Sequence, residues 1–341
     1  MSKPKPTPKP RPSATTASTS RPAPRLAISV GCPCGIGPEV SVVAAAKRRN
    51  VILVGDRGAI VAAARLRGVD PARLNIVQPG PALAASARRP GHPTRASGAA
   101  QLAWIDAATD LVRAGDADAL VTGPVSKDVI ARSGAGPMAA KFLGHTEHLQ
   151  ERLGAPEVTM AFWSEKLTTS LVTTHLALAD VPRAITPAAV ARAVFWTAHF
   201  LAKIGQGGRP PCLAVASLNP HAGEGGLLGK EESRSITPGI ARAKARLAKA
   251  KIQVELVGPV PAESAIRIGA NGGFAGVVAM YHDQATIPMK LLGFGEAVNV
   301  SLGLPIVRTS VDHGTAYDRA GKGTADARGM LEAIDLAVRL V

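Results

Sequence analysis

The sequence predicts an α/β protein with a largely parallel sheet, and three observations carry that prediction. Short apolar runs alternate with longer stretches of helical periodicity through the whole body. Several of those runs stop at polar, titratable residues, the placement expected where the carboxyl ends of strands open on a binding crevice. A chain of 341 residues, 46% of them hydrophobic, is long enough for two domains with real cores, and an aromatic content of 3% makes those cores aliphatic.

Taken in order, RLAISV (25–30) reads as a strand that enters a Gly-rich turn, VGCPCGIGPEV (30–40), and a helix over 37–49. VILVGD (51–56) is the next strand, SGAAQLAWIDAATDLVRAG (97–115) a helix, and ADALVTG (117–123) a third strand. TEHLQERLG (146–154) is a short helix with Thr146 as its N-cap and Gly154 as its terminator. TTSLVTT (168–174), CLAVASL (212–218), GVVAMY (276–281) and PIVRTS (305–310) complete the strands. The helices 186–205 and 237–251 each open on Thr-Pro, a favoured start. No internal repeat appears, and the alternation excludes a bundle or an all-β fold.

Charge and cysteine usage bound the setting. The net charge is +15, but residues 1–25 hold six basic residues and no acid among Pro, Ser, Thr and Ala. Such a segment buries too little apolar surface to offset its ordering entropy and reads as a disordered tail. It lacks the apolar core of a signal peptide. A basic tail attracts nucleic acid non-specifically, yet it has no interleaved aromatics and the body has no recognition module, so nucleic acid is not the expected partner. Three cysteines make no disulfide framework, which points to the cytoplasm, and no apolar stretch reaches membrane-spanning length.

The polar strand ends form a constellation. His175, His221 and His282 each follow a different predicted strand, and neutral imidazole is the commonest divalent-metal ligand. One such histidine is ordinarily structural; three at equivalent places point to a site. Lys127 ends another run, and Asp312 and His313 end the last. The helix start at 146 offers free amides to a phosphate, with His145 beside it to add charge. Lys290, Asn299 and Arg308 surround a short apolar segment, where Lys and Arg would clamp a carboxylate or phosphate. The turn at 30–40 matches neither the dinucleotide fingerprint nor the P-loop, and the CPC thiols of Cys32 and Cys34 read as small-residue packing rather than metal or redox chemistry. His92, His148 and His199 read as surface or packing residues.

The segments GIGPE, TGPVSK, GHTE, TTHLALADVP, LNPHAGEGGLLGKEE, MYHDQ and GFGEAVNVSLGLPIVRTSVDHGTA resemble, in order, the motifs of the 4-hydroxythreonine-4-phosphate dehydrogenase family of pyridoxal phosphate biosynthesis. The likeness runs from about residue 26 to the C-terminus. DHGTAYDRAGKGTAD is also similar to the cofactor loop of isopropylmalate dehydrogenases. The resemblance implies a two-domain α/β/α fold of the isocitrate/isopropylmalate dehydrogenase type with the active site in the interdomain cleft. One domain would span 26–137 plus 307–341 on the cofactor side, and the other, over 138–306, would carry metal, substrate and dimer contacts.

Carried over by position, the resemblance implies that His175, His221 and His282 hold one divalent ion (zinc, magnesium or cobalt), shared across a homodimer interface. His145, Thr146, Lys290, Asn299 and Arg308 would contact a phosphorylated substrate. Gly314, Thr315, Asp318, Gly321, Lys322, Gly323 and Asp326 would bind NAD, and Lys290, Asp283 and Glu263 would serve catalysis. The implied reaction is oxidation and decarboxylation of 4-phosphohydroxy-L-threonine to 3-amino-2-oxopropyl phosphate. The cation would ease hydride departure to NAD, and Lys290 would stabilise the enolate left by CO₂.

Departures from the family pattern keep alternatives open. Cys32 and Cys34 stand where the family has Asp and Ala, Glu263 where it has Asp, and Ile266 where it has Phe. The competing readings are a dehydrogenase of D-threonate or D-erythronate 4-phosphate, and a catalytically weakened relative that binds a metal or ligand.

Overall fold

The computed structural model describes residues 23–205 and 209–341. The predicted tail therefore lies, apart from its last three residues, outside the described residues. At its end Arg25 donates its backbone N–H to Asp118 Oδ2 at 2.7 Å.

Eleven strands form one sheet: β1 (Leu26–Ser29), β2 (Val51–Val54), β3 (Asn75–Val77), β4 (Ala119–Thr122), β5 (Thr159–Trp163), β6 (Thr168–Leu171), β7 (Cys212–Ala216), β8 (Glu255–Val260), β9 (Gly276–Ala279), β10 (Val298–Leu302) and β11 (Arg308–Val311). Their order is β3-β2-β1-β4-β11-β10-β5-β6-β9-β7-β8. Every residue of β1, β4, β6, β9 and β11 is buried, as strands covered on both faces must be. Helices Arg95–Arg113 and Arg328–Leu340 pack on β1, β4 and β11, and helix Pro187–Ile204 packs on β5, β6 and β9.

The sheet is parallel at both ends and antiparallel in the middle, where β11–β10, β10–β5 and β5–β6 pair. The connections explain the reversal. Only residues 303–307 join β10 to β11 and only 164–167 join β5 to β6. A parallel crossover needs a dozen residues or more, so each link closes a hairpin. β1–β4 and β11 come from 26–137 and 307–341, β5–β10 come from 138–306, and the two sets are hydrogen-bonded into one sheet along β10–β11.

Local chemistry sets the helix starts. Thr94 and Ser97 form a reciprocal capping box at helix Arg95–Arg113. Thr186 accepts from Ala189 N–H ahead of Pro187. One expectation is corrected here: helix His145–Leu153 is capped by Gly144, and Thr146 lies inside its first turn. The Thr146 hydroxyl is engaged elsewhere, 3.0 Å from Ser301 Oγ, so it is not free to cap. Gly154 closes the helix at φ 61° as expected.

Candidate active site

The carboxyl ends of β4, β6, β9 and β11 and the amino end of antiparallel β10 meet around a cleft of about 270 Å³. Its walls carry Lys127, His145, Thr146, Glu147, His175, His282, Asn299, Arg308, Ser310, Asp312 and His313.

Arg308 dominates the electrostatics. It opens β11 and is only 3% exposed. Its Nη1 donates to Asn299 Oδ1 at 3.1 Å and to Ser301 Oγ at 3.0 Å, and Nη2 donates to Thr122 Oγ1 at 2.6 Å. Its Nε is buried without a partner. Among the described residues no carboxylate lies within 4 Å of this guanidinium, and burial draws its pKa down to about 9 against the pull of Glu147 alone. A buried cation that lacks an anion calls for one from outside.

His145 sits beside it, half-buried, with its Nε2 buried and unpartnered. Burial first, then Arg308, His148 and Lys127, hold its pKa well below the ordinary imidazole value. That shift favours a neutral imidazole that offers a hydrogen bond. Arg308, His145, Thr146 and Asn299 thus converge on one pocket with donors to spare, and the spacing suits a phosphate or carboxylate.

The histidines fall into two groups. Beyond the last residues of β6 and β9 the two segments stay tied by Val172 N–H to Ala279 O at 2.9 Å and Thr173 N–H to Met280 O at 3.1 Å. His175 and His282 each stand two residues past the last of these bonds, with ring centroids 5.6 Å apart. Burial, then Lys127, lowers the His175 pKa, so the ring is the neutral form that a metal binds. His282 Nδ1 lies 2.7 Å from Asp283 Oδ1, a carboxylate–histidine pair of the kind that orients metal ligands.

His221 is not with them. It lies in the loop Pro220–Gly226, where five successive residues, His221 to Gly225, have φ between 44° and 81°. Glu232 braces this left-handed turn, accepting from the N–H groups of Leu218 at 3.0 Å and Asn219 at 2.8 Å. The imidazole is exposed, away from the cleft, and among the described residues no three His, Cys, Asp or Glu side chains form a metal-holding group. The donor set of one chain is therefore two imidazoles, which suits a divalent ion with further ligands still to come. Leu176, Leu178, Leu227, Leu228, Leu291 and Phe294 expose apolar surface on the elements that bear the three histidines.

The other expected residues scatter. Lys290, on helix His282–Gly293, borders an adjoining cavity of about 280 Å³ with Ile36, Phe294, Asp312, His313 and Asp326. Glu263 is exposed at the start of helix Ala262–Ala270. Its carboxyl is held below the usual range by the Ser264 hydroxyl and then by Arg267 and His221. Gly314 borders the cleft, whereas Asp318 and Lys322 are exposed; Asp326 pairs with Arg328. Cys32 and Cys34 are fully buried; Cys32 Sγ lies 3.4 Å from Tyr317 Oη, and Cys34 Sγ donates to Ala87 O at 3.3 Å. The Cys34 thiol, then Tyr317, draw the Cys32 pKa down to about 7 against burial.

Lys127, Glu147, Asp312 and His313 line the cleft without having been given a role from the sequence. The signal existed for three of them, which end predicted strands. Burial raises the Asp312 pKa, opposed by Lys290, His313 and His282, so it joins the two cavities electrostatically.

An anion-receiving pocket beside a histidine pair, at the strand ends of a mostly parallel sheet, defines an α/β enzyme of small anionic molecules. Comparison with known proteins narrows the class. The family described as pyridoxal phosphate biosynthetic protein PdxA matches residues 46–337. A 4-hydroxythreonine-4-phosphate dehydrogenase of Desulfosudis oleivorans is 41% identical over 90% of this chain and 93% of its own. The 4-hydroxythreonine-4-phosphate dehydrogenase structure from Klebsiella pneumoniae superposes with a TM-score of 0.77 at 32% identity, covering 93% of this chain and 99% of that one. A terephthalate 1,2-cis-dihydrodiol dehydrogenase from Burkholderia xenovorans reaches 0.65 at 31% identity, covering 93% and 98%. The chain belongs to the PdxA family. It is an oxidoreductase, and its mostly parallel α/β architecture is the one its sequence predicts.

Proposed function

We propose that the chain is a 4-hydroxythreonine-4-phosphate dehydrogenase of pyridoxal phosphate biosynthesis. It oxidises 4-phosphohydroxy-L-threonine with NAD and releases CO₂ to give 3-amino-2-oxopropyl phosphate in the cytoplasm. The observation that carries this reading is Arg308, a buried guanidinium with no carboxylate partner, flanked by the unpartnered Nε2 of His145. A dianionic phosphate supplies the missing charge.

Arg308, His145, Thr146 and Asn299 grip the phosphate, and that remote grip sets the position of the reacting carbon. His175 and His282 hold a divalent ion, zinc, magnesium or cobalt, and His221 of a second copy completes its shell in a homodimer. The apolar residues around all three histidines support that arrangement. The Asp283 carboxylate accepts from His282 Nδ1–H and so would leave Nε2 as the atom available to the ion. When bound, the ion supplies Lewis acidity to the substrate oxygens and NAD accepts the hydride. The Lys290 ammonium, across the adjoining cavity, stabilises the negative charge that develops as CO₂ leaves. Glu263, near His221, approaches the neighbouring subunit's site with it. The loop 314–326 receives NAD.

The test is NADH formation from 4-phosphohydroxythreonine, threonate 4-phosphate and erythronate 4-phosphate, each with and without added divalent ion. Turnover of the first in preference to the others, and only with the ion, is expected. Preference for a sugar acid would move the substrate assignment, and no turnover of any would leave a binding protein.

A further inference from the structure

We propose that Glu39 is a positioning residue for the nicotinamide cofactor, holding the loop 314–326 in the shape that receives it, with Arg67 as a second brace. The proposal rests on the reading of that loop as the NAD site.

Glu39 lies in the first turn of helix Gly37–Lys47, and its side chain is only 4% exposed. Its Oε1 accepts from the N–H of Gly321 at 2.7 Å, a contact that spans 282 positions of sequence. Its Oε2 has no hydrogen-bond partner and faces Arg67 Nη1 at 3.7 Å. Arg67, also largely buried, donates through Nη1 to Ala325 O at 2.6 Å. Just before the helix, Ile36 N–H donates to Thr315 O at 3.0 Å, and a Cβ on Gly35 would stand 2.7 Å from that same oxygen. The Gly-rich turn therefore docks the distant loop at 315 and 321, and Arg67 ties it at 325.

A buried, half-satisfied carboxylate is a poor way to stabilise a fold, since an apolar side chain of similar size avoids the desolvation. What the carboxylate does supply is direction. Gly321 and Gly323 have φ of 78° and 70°, and between 316 and 326 the loop's own backbone hydrogen bonds stop at Lys322. Its far half takes its shape from the Glu39 and Arg67 contacts. A loop held in its binding shape binds without a further ordering cost, so loss of the ties appears as weaker cofactor affinity.

The experiment measures NADH binding to the full chain by fluorescence titration, alongside steady-state kinetics, for wild type, Glu39→Gln, Glu39→Ala and Arg67→Ala. Glu39→Ala is expected to raise the Kd for NADH and the KM for NAD roughly 10-fold, the equivalent of about 1.4 kcal/mol, with kcat and the KM for the phosphorylated substrate within about twofold. Glu39→Gln keeps an acceptor for Gly321 N–H and recovers most of the loss; Arg67→Ala falls between. If Glu39→Ala does not fold, the Gln and Arg67 variants decide by the same split. Unchanged NADH affinity in the folded variants overturns the proposal, as does an equal fall in kcat and in affinity for both ligands. A wild-type chain that binds no nicotinamide removes the reading of the loop itself, and Glu39 with it.

Discussion

Arg308 and Asn299 meet on a diagonal across the β10–β11 pairing, in which Asn299 lies opposite Ser310, with Nη1 donating to Oδ1 at 3.1 Å while no described carboxylate comes within 4 Å of the guanidinium. The contact, with those to Ser301 and Thr122, fixes the plane of the fork before any substrate arrives. Arg308→Lys keeps the charge and loses the fork. It is expected to lower kcat/KM for the phosphorylated substrate by about 1.5 to 3 kcal/mol, roughly 10- to 150-fold. The same acid without phosphate should lose little. An equal proportional loss on both would assign Arg308 to the substrate carboxylate or to the fold.

His145 gives the stability of the fold a pH dependence. Burial, with Arg308 adjacent, holds its folded pKa well below the unfolded value of about 6.5. The unfolded ring takes up a proton as the pH falls through that value and the folded ring does not. Its contribution is therefore complete above about pH 6.5 and is lost as the pH drops toward the folded pKa, with a limiting slope of about 1.4 kcal/mol per pH unit. His145→Gln should flatten the fall in Tm between about pH 7 and pH 5, where the unfolded imidazole titrates. Parallel curves for wild type and variant would locate the acid sensitivity elsewhere.

On the proposed reading, Asp283 acts on a bound metal through His282. Asp283→Asn loses the carboxylate that fixes the Nδ1–H tautomer and should weaken metal affinity about 10- to 100-fold. Activity should return at high metal concentration, as read from a metal titration of chelator-treated protein. Failure to recover at saturating metal would give Asp283 a direct part in the chemistry.

If His221 completes the ion's shell from a second copy, His175→Ala and His221→Ala proteins are each inactive alone and regain part of the activity when mixed and reassembled. Verified mixed dimers without activity would remove His221 from the ion's shell.

The seven strands read from the sequence are all present, five of them as largely apolar runs and β6 and β11 as mixed segments that end in polar residues. β5 and β10 pair as hairpin strands outside the strand–helix alternation that marked the others, β3 is only three residues long, and β8 contains a Gly-Pro step. The convergence of His145, Asn299 and Arg308 depends on β11 lying between β4 and β10, a pairing that no local pattern announces. The ties from Glu39 to Gly321 and from Arg67 to Ala325 are equally non-local, linking residues hundreds of positions apart.

The end of the β6–β9 pairing works as a ruler. Adjacent strands keep a separation of about 4.7 to 4.9 Å whatever their side chains, and two further backbone bonds tie the segments just before His175 and His282, so the separation of the two rings is governed by backbone geometry more than by core packing. His221, by contrast, rides on a loop whose shape depends on Glu232 and on a run of left-handed residues. Mutational drift in metal preference should accordingly accumulate around Asn219, Ala222 and Glu232, while the strand pair stays constant.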